Sequence, residues 1–172
     1  MSGLTQQQIM EVKGRGFLRN RGTDNFSVRI VSNGAVFSAK DFANISRFSE
    51  IFGNGKVICT SRLNVEVPGI PYEKIPEAEK FAKDNGLRFG GTGAKVRPIA
   101  ACKGTTCVFG NCDTHKIAKK LDEQFYDGWS NVKLEYLSDY YGIEQSSAHR
   151  AYCDEEANAH IYFKLKEESY EK

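Results

Sequence analysis

No apolar run in these 172 residues approaches the roughly 18 needed to span a bilayer as a helix, so a helical membrane protein is not expected. The opening Met1-Ser-Gly-Leu-Thr has no basic region followed by an apolar one, which reads as no secretory signal and makes the cytoplasm the expected location. Positive charge is scarce too: 24 Lys and Arg face 22 Asp and Glu, and a net charge of +2 is too small to make nucleic acid the main partner. Five cysteines are an odd number, which leaves at least one thiol unpaired and disfavours the disulfide scaffold of a small secreted protein. Internal repeats and low-complexity segments are absent. The glycines at 90, 91 and 93 do not form G-x-G-x-x-G after a strand of a βαβ unit, so no dinucleotide site is read there.

What is present is concentrated in one stretch, 90–114, GGTGAKVRPIAACKGTTCVFGNCDT. Gly90, Gly91 and Gly93 allow the backbone positive φ and close approach to a bulky ligand, because no Cβ intervenes. Lys95 and Arg97 add charge, and Pro98-Ile-Ala-Ala101 leads to Cys102, Cys107 and Cys112 at C-x4-C-x4-C. In a reduced compartment that clustering points to metal or Fe–S ligation before disulfides, the alternative being small buried cysteines in a loop. Cys59, within a strand pattern, is expected in the core, and His115, at a helix start, is expected exposed. His149, Cys153, Asp154 and His160 lack the paired knuckle of a zinc site.

Along the chain, 14–24 is basic and punctuated by glycine, with Arg15, Arg19 and Arg21 leading into an alternating strand at 25–31. Phe26, Val28 and Ile30 take one face of that strand, Ser27 and Arg29 the other. Ser38-Ala-Lys-Asp41 has the form of a helix start, Phe42, Ile45, Phe48 and Phe52 recur at helical spacing, and Gly53-Asn-Gly55 ends the helix. Strands are expected at 56–60 and 62–67, the second with Leu63, Val65 and Val67 inward and Arg62, Asn64 and Glu66 opposite, followed by a turn at Pro68-Gly-Ile-Pro71. A helix at 74–85, with Pro76 in its first turn and Gly86 after its end, precedes a strand at 87–89. The expected core includes Phe26, Val28, Ile30, Phe42, Ile45, Phe48, Val57, Leu63, Val65 and Phe81.

That order, with helices on one sheet face, is α+β and ferredoxin-like. It leaves Arg29 and Arg62 on the free face, either as an anion site or as solvated surface arginines. Asp113 is an N-cap for a helix to Tyr126 with Ile117, Leu121 and Phe125 on one stripe, closed by Asp127-Gly-Trp-Ser-Asn131. Its dipole favours thiolate at the cysteines beside it. From Leu134 the text is polar and irregular, with a late strand expected at 159–165 and a charged tail.

The stretches GRGFLRNRGTDNFSVRI, TSRLNVEVPGIPYE and GTGAKVRPIAACKGTTCVFGNCDT, in that order, resemble the nitrite and sulfite reductase family from about Val12 to about Leu134. The resemblance implies a ferredoxin-like half domain over 1–92, followed over 93–172 by a partial sirohaem/[4Fe-4S] α/β domain with a divergent tail. It implies that Arg29, Arg62 and Arg97 contact sirohaem carboxylates or the anionic substrate, sulfite or nitrite, with Arg19, Arg21 and Lys95 as further cofactor contacts. It also implies that Cys102 and Cys107 begin the cluster ligands, with Cys112 as an alternative, and that an electron donor protein supplies the reducing equivalents. The family's second pair, C-x3-C, is absent, and Cys153 is the only cysteine beyond Leu134. The chain would therefore use a new ligand set, borrow ligands from another subunit or copy, or bind no cluster. A non-catalytic or regulatory fragment of the same fold and a zinc-binding interaction protein are the alternatives.

Overall fold

The structure, a computed structural model, describes residues 4–93, 95–126, 134–143, 159–161, 163, 164 and 167. The chain divides into two compact units, Met1–Gly128 and Trp129–Lys172, so residues 93–128 with the cysteine loop belong to the same unit as the half domain.

The first unit is built on a five-stranded antiparallel sheet. Strands β1 (Phe17–Arg19), β2 (Asn25–Val31), β3 (Ile58–Cys59) and β4 (Val65–Pro71) lie in the order β1-β2-β4-β3. Strand β5 (Arg88–Phe89) pairs with β2 beyond β1, through Ile30 opposite Phe89 and Val31 opposite Arg88. Helix α2 (Ala39–Phe52) begins where the sequence places it, with the Ser38 and Asp41 side chains capping each other's backbone amides. Helix α3 (Ile75–Asp84) carries Pro76 in its first turn, where the missing amide proton costs no hydrogen bond.

Phe26, Val28 and Ile30 of β2 face Ile45 and Phe48 of α2, Val65, Val67 and Ile70 of β4, and Ile75 and Ala78 of α3 in one core. Phe48 is its centre, with ring centroids 5.1 Å from Phe52, 5.8 Å from Phe81 and 5.5 Å from Phe89. Helix α1 (Gln6–Lys13), which the sequence reading passed over, is capped reciprocally by Thr5 and Gln8 and buries Val12.

Several expectations fail for identifiable reasons. Leu63 is exposed because 60–64 is a turn, closed by Thr60 N–H to Asn64 O at 2.8 Å, with Leu63 at φ 57°. Arg62 therefore sits in that turn and not on a strand, and buried Asn64 fixes the turn by accepting from the Ser32 amide at 2.8 Å. Pro68-Gly-Ile-Pro71 is strand and not turn: Phe26 to Val28 of β2 opposes Ile70 to Val67 of β4, a bulge that absorbs one extra residue. Phe42 is 54% exposed, stacked on Phe37 instead of the core, and Val57 is exposed beside edge strand β3. Cys59, expected in the core, is exposed on that edge.

Helix α4 (Thr114–Tyr126) starts with Asp113 accepting from the Lys116 amide at 3.0 Å, but it buries Ala118 and Asp122, leaving Ile117 and Leu121 exposed. The expected closure at 127–131 lies outside the described residues. In the second unit, Leu134–Tyr141 is helix α5 where irregular chain is expected, and the described residues of 159–165 are helical where a strand is expected.

Replacing Phe48 by Ala should cost about 3–5 kcal/mol in denaturant unfolding, whereas Phe42→Ala should cost under about 1.5 kcal/mol. Equal losses would contradict this placement of the core.

Candidate anion site and cysteine loop

Arg29 lies on the β2 face opposite Phe26, Val28 and Ile30. That face is not free: its neighbours Ser27 and Val31 are buried, and the 90–98 segment is bonded to Arg29. At Arg29 the main chain changes neighbours. Its N–H donates to Gly16 O at 3.0 Å, and its C=O accepts from Gly90 N at 3.3 Å, so the start of β1 and the end of β5 meet here. A Cβ on Gly16, which has φ 105°, would stand 2.8 Å from Gly90 N, so glycine is required at this crossing.

The Arg29 side chain continues the junction. Nε and Nη2 donate to Glu66 Oε1 at 2.9 and 2.7 Å, across the β2–β4 register, and Nη1 donates to Gly91 O at 2.7 Å. Arg97 Nη1 reaches the same Gly91 carbonyl at 2.8 Å, and Arg62 Nη1 stands 3.5 Å from Pro98 O. Three guanidiniums expected to converge thus meet on one loop. Their capacities differ. Arg29 has three of its five N–H groups engaged, while Arg62 and Arg97 are exposed and each engage one nitrogen, Nη1.

Lys95 belongs to the same loop, its amide donating to Thr92 O at 3.3 Å, and Thr92 ties the loop to α1 through a bond from its hydroxyl to Lys13 O. Arg19 and Arg21 stand apart. Arg19 pairs in register with Phe26, three positions from Arg29 or about 10 Å along the strand, and binds Asp24 at 2.7 Å; Arg21 lies exposed in the adjoining turn.

The cysteine loop is held by α4. Buried Asp122 accepts from Arg88 Nη2 at 2.8 Å and from Gly34 N at 3.3 Å through Oδ2, while its Oδ1 has no hydrogen-bond partner. His115 is not the exposed residue expected; its Nδ1 stands 3.1 Å from Gly34 O and the ring is partly buried. Sequence inspection overlooks Arg88 and Asp122 because each alone reads as a surface charge. Their one signal is an acid placed among the apolar positions of an otherwise amphipathic helix.

At the loop itself Cys102 and Cys112 are exposed and Cys107 is half-buried. The Gly104 amide and then the Thr114 hydroxyl hold the Cys102 thiol below its ordinary value, against a small opposing desolvation. Among the described residues, no group of three or more His, Cys, Asp or Glu could hold a metal ion. Cys102, Cys107 and Cys112 are therefore not gathered as a ligand set. His149, Cys153 and Asp154 lie outside the described residues. The exposed Arg62 and Arg97 carry guanidinium donors of the kind that carboxylates and oxyanions accept in two-point contacts.

A family model for the nitrite/sulfite reductase ferredoxin-like half domain matches residues 19–84. Over these residues the fold is similar to the ferredoxin-like half domain of nitrite and sulfite reductases. An uncharacterized protein of Methanocaldococcus jannaschii, MJ0551, is 28% identical over 131 residues, 76% of this chain and 46% of that protein. The NirA protein of Mycobacterium tuberculosis superimposes with a TM-score of 0.62 at 17% identity, over 72% of this chain and 26% of that one. The chain thus spans less than half the length of the curated relative it matches. Among the described residues no helix is long and apolar enough to cross a membrane.

Replacing Glu66 by Gln should lower stability by about 1–3 kcal/mol in urea titration, since it strips the half-buried Arg29 of its counter-charge; an unchanged midpoint would contradict the junction. Alkylation of Cys102 should follow a pH profile with its midpoint below the ordinary thiol value of 9.0, and Thr114→Val should move it upward in part. A midpoint at or above 9.0 would show that the Gly104 and Thr114 bonds do not form.

Proposed function

We propose that this chain is a redox protein of the nitrite/sulfite reductase family whose first unit offers Arg62, Arg97 and Lys95 to an anion, with Arg29 as the fixed base beneath them. The observation that carries the reading is the convergence of Arg29 and Arg97 on the Gly91 carbonyl with Arg62 beside Pro98. Guanidiniums with spare parallel N–H donors recognise carboxylates and oxyanions in two-point contacts, so the acid side chains of sirohaem and a sulfite or nitrite ion are the ligands this chemistry suits. Bound sirohaem supplies the iron at which such oxyanions are reduced. The chain's own part is to hold that group's carboxylates through Arg62 and Arg97, and to keep the loop that carries Arg97 pinned to the sheet.

A second reading, a member that binds a tetrapyrrole without turnover, is favoured by one observation, the ungathered cysteines. In either case a [4Fe-4S] cluster needs thiolates beyond those this loop brings together, supplied by another subunit or copy, and an electron donor protein would act through that assembly.

The test is anaerobic titration of the chain with sirohaem, followed by absorption spectra, an iron count and a methyl viologen assay with sulfite and with nitrite. Sirohaem should bind, Arg97→Ala and Arg62→Ala should each weaken it about tenfold or more, and turnover by the chain alone should be absent. Affinity unchanged from the parent in both variants would sink the anion site; a stoichiometric [4Fe-4S] signal with turnover would sink the incompleteness.

A further inference from the structure

Among the described residues the three thiols of this loop do not form a metal-holding group, and the loop's own geometry points to a use for two of them. Thr114 holds both ends. Its hydroxyl donates to Cys102 O at 2.8 Å and stands 3.6 Å from Cys102 Sγ, while its amide donates to Cys112 O at 3.1 Å. The nine residues between the two cysteines are folded back on themselves by bonds from Cys107 N to Gly104 O at 3.0 Å and from Gly110 N to Cys107 O at 2.9 Å. Two glycines make that fold possible. A Cβ on Gly104 would stand 2.8 Å from Thr114 Oγ1 and 3.5 Å from Cys112 O, and one on Gly110 would stand 2.1 Å from Gly104 O. Side chains there would push the loop open.

We infer that Cys102 and Cys112 are a dithiol pair, a site of oxidative modification at which a low-molecular-weight disulfide closes the loop with an intramolecular Cys102–Cys112 disulfide. The pair is chosen by exposure and tethering: both thiols are exposed and both backbones are bonded to one residue, whereas Cys107 is half-buried and Cys59 lies on the distant β3 edge. The step balances as two exchanges. One cysteine thiolate attacks a sulfur of the added disulfide, forming a mixed disulfide and expelling one small thiolate. The second cysteine then attacks the protein-side sulfur of that mixed disulfide and expels the other. Two cysteine thiols are oxidised, the small disulfide is reduced to two thiols, and both cysteine protons leave with them or to solvent. Pre-folding of the loop raises the local concentration of the second thiol, so closure should outrun capture of a second small disulfide. While the bond stands, Cys102 is withheld from any metal.

The experiment uses the full reduced chain in the presence of a chelator, treated with oxidised glutathione and followed by thiol titration and non-reducing peptide mapping. Of the five thiols, two should be lost together, with a linked peptide pair containing Cys102 and Cys112 and no retained glutathione. Gly110→Val and Thr114→Val should slow closure about fivefold or more, and Thr114→Ser should restore it. Persistent glutathione adducts at Cys102 or Cys112, a link through Cys107, Cys59 or Cys153, or a Thr114→Val rate equal to that of the parent would each overturn the inference. The mapping on the unsubstituted chain decides the matter even if a variant fails to fold.

Discussion

One residue, Arg29, joins the sheet to the 90–98 loop. Its backbone closes the gap where β1 gives way to β5 along the same edge of β2, and its guanidinium spans from Glu66 on the neighbouring strand to Gly91 on the loop. A guanidinium this enclosed must have its charge answered and its donors satisfied, and Glu66 and the Gly91 carbonyl do both. The 91–98 loop gains a fixed anchor, and Arg97 meets it at the same oxygen. Arg29 is thus engaged within its own fold, while Arg62 and Arg97 stand exposed.

The cysteine loop is fixed by a separate anchor at the far end of the same strands. Arg88 of β5 and the Gly34 amide hold Asp122, which seats α4, and α4 begins at Thr114, the residue that holds Cys102 and Cys112. Both candidate loops therefore hang from the β2–β5 pairing, and damage to that pairing should be felt at both. A buried carboxylate with one unpartnered oxygen is an expensive seat, tolerated because the ion pair with Arg88 compensates the other oxygen.

Much of the half domain is legible in the sequence because its signals are local. The alternation at Phe26, Val28 and Ile30, the Ser38 and Asp41 cap and the first-turn Pro76 each act over a few residues, and each appears in the structure. What is not legible depends on distant partners. Leu63 fits an inward strand position until Asn64 is seen captured by Ser32, 32 residues away in the sequence. Pro68-Gly69 reads as a turn unless the bulge that β2 accommodates is known. The convergence of Arg29 and Arg97 follows from the family resemblance and the strand face, but their shared oxygen and the Glu66 pairing are tertiary facts. The cysteine spacing suggested ligands, yet spacing alone does not say that Thr114 bonds both Cys102 and Cys112 while Cys107 is half-buried.

The central claim is that the Arg29 junction holds the arginine loop to the sheet, and native-state hydrogen exchange at single-residue resolution tests it most directly. The amides of Arg29 and Gly90, which donate across the junction, should exchange only with the opening that releases the β2–β4 core, and Glu66→Gln should accelerate Gly90 more than Val67. If Gly90 instead exchanges as fast as the exposed 21–24 turn while β2 and β4 remain protected, the loop is not anchored at Arg29 and the account fails.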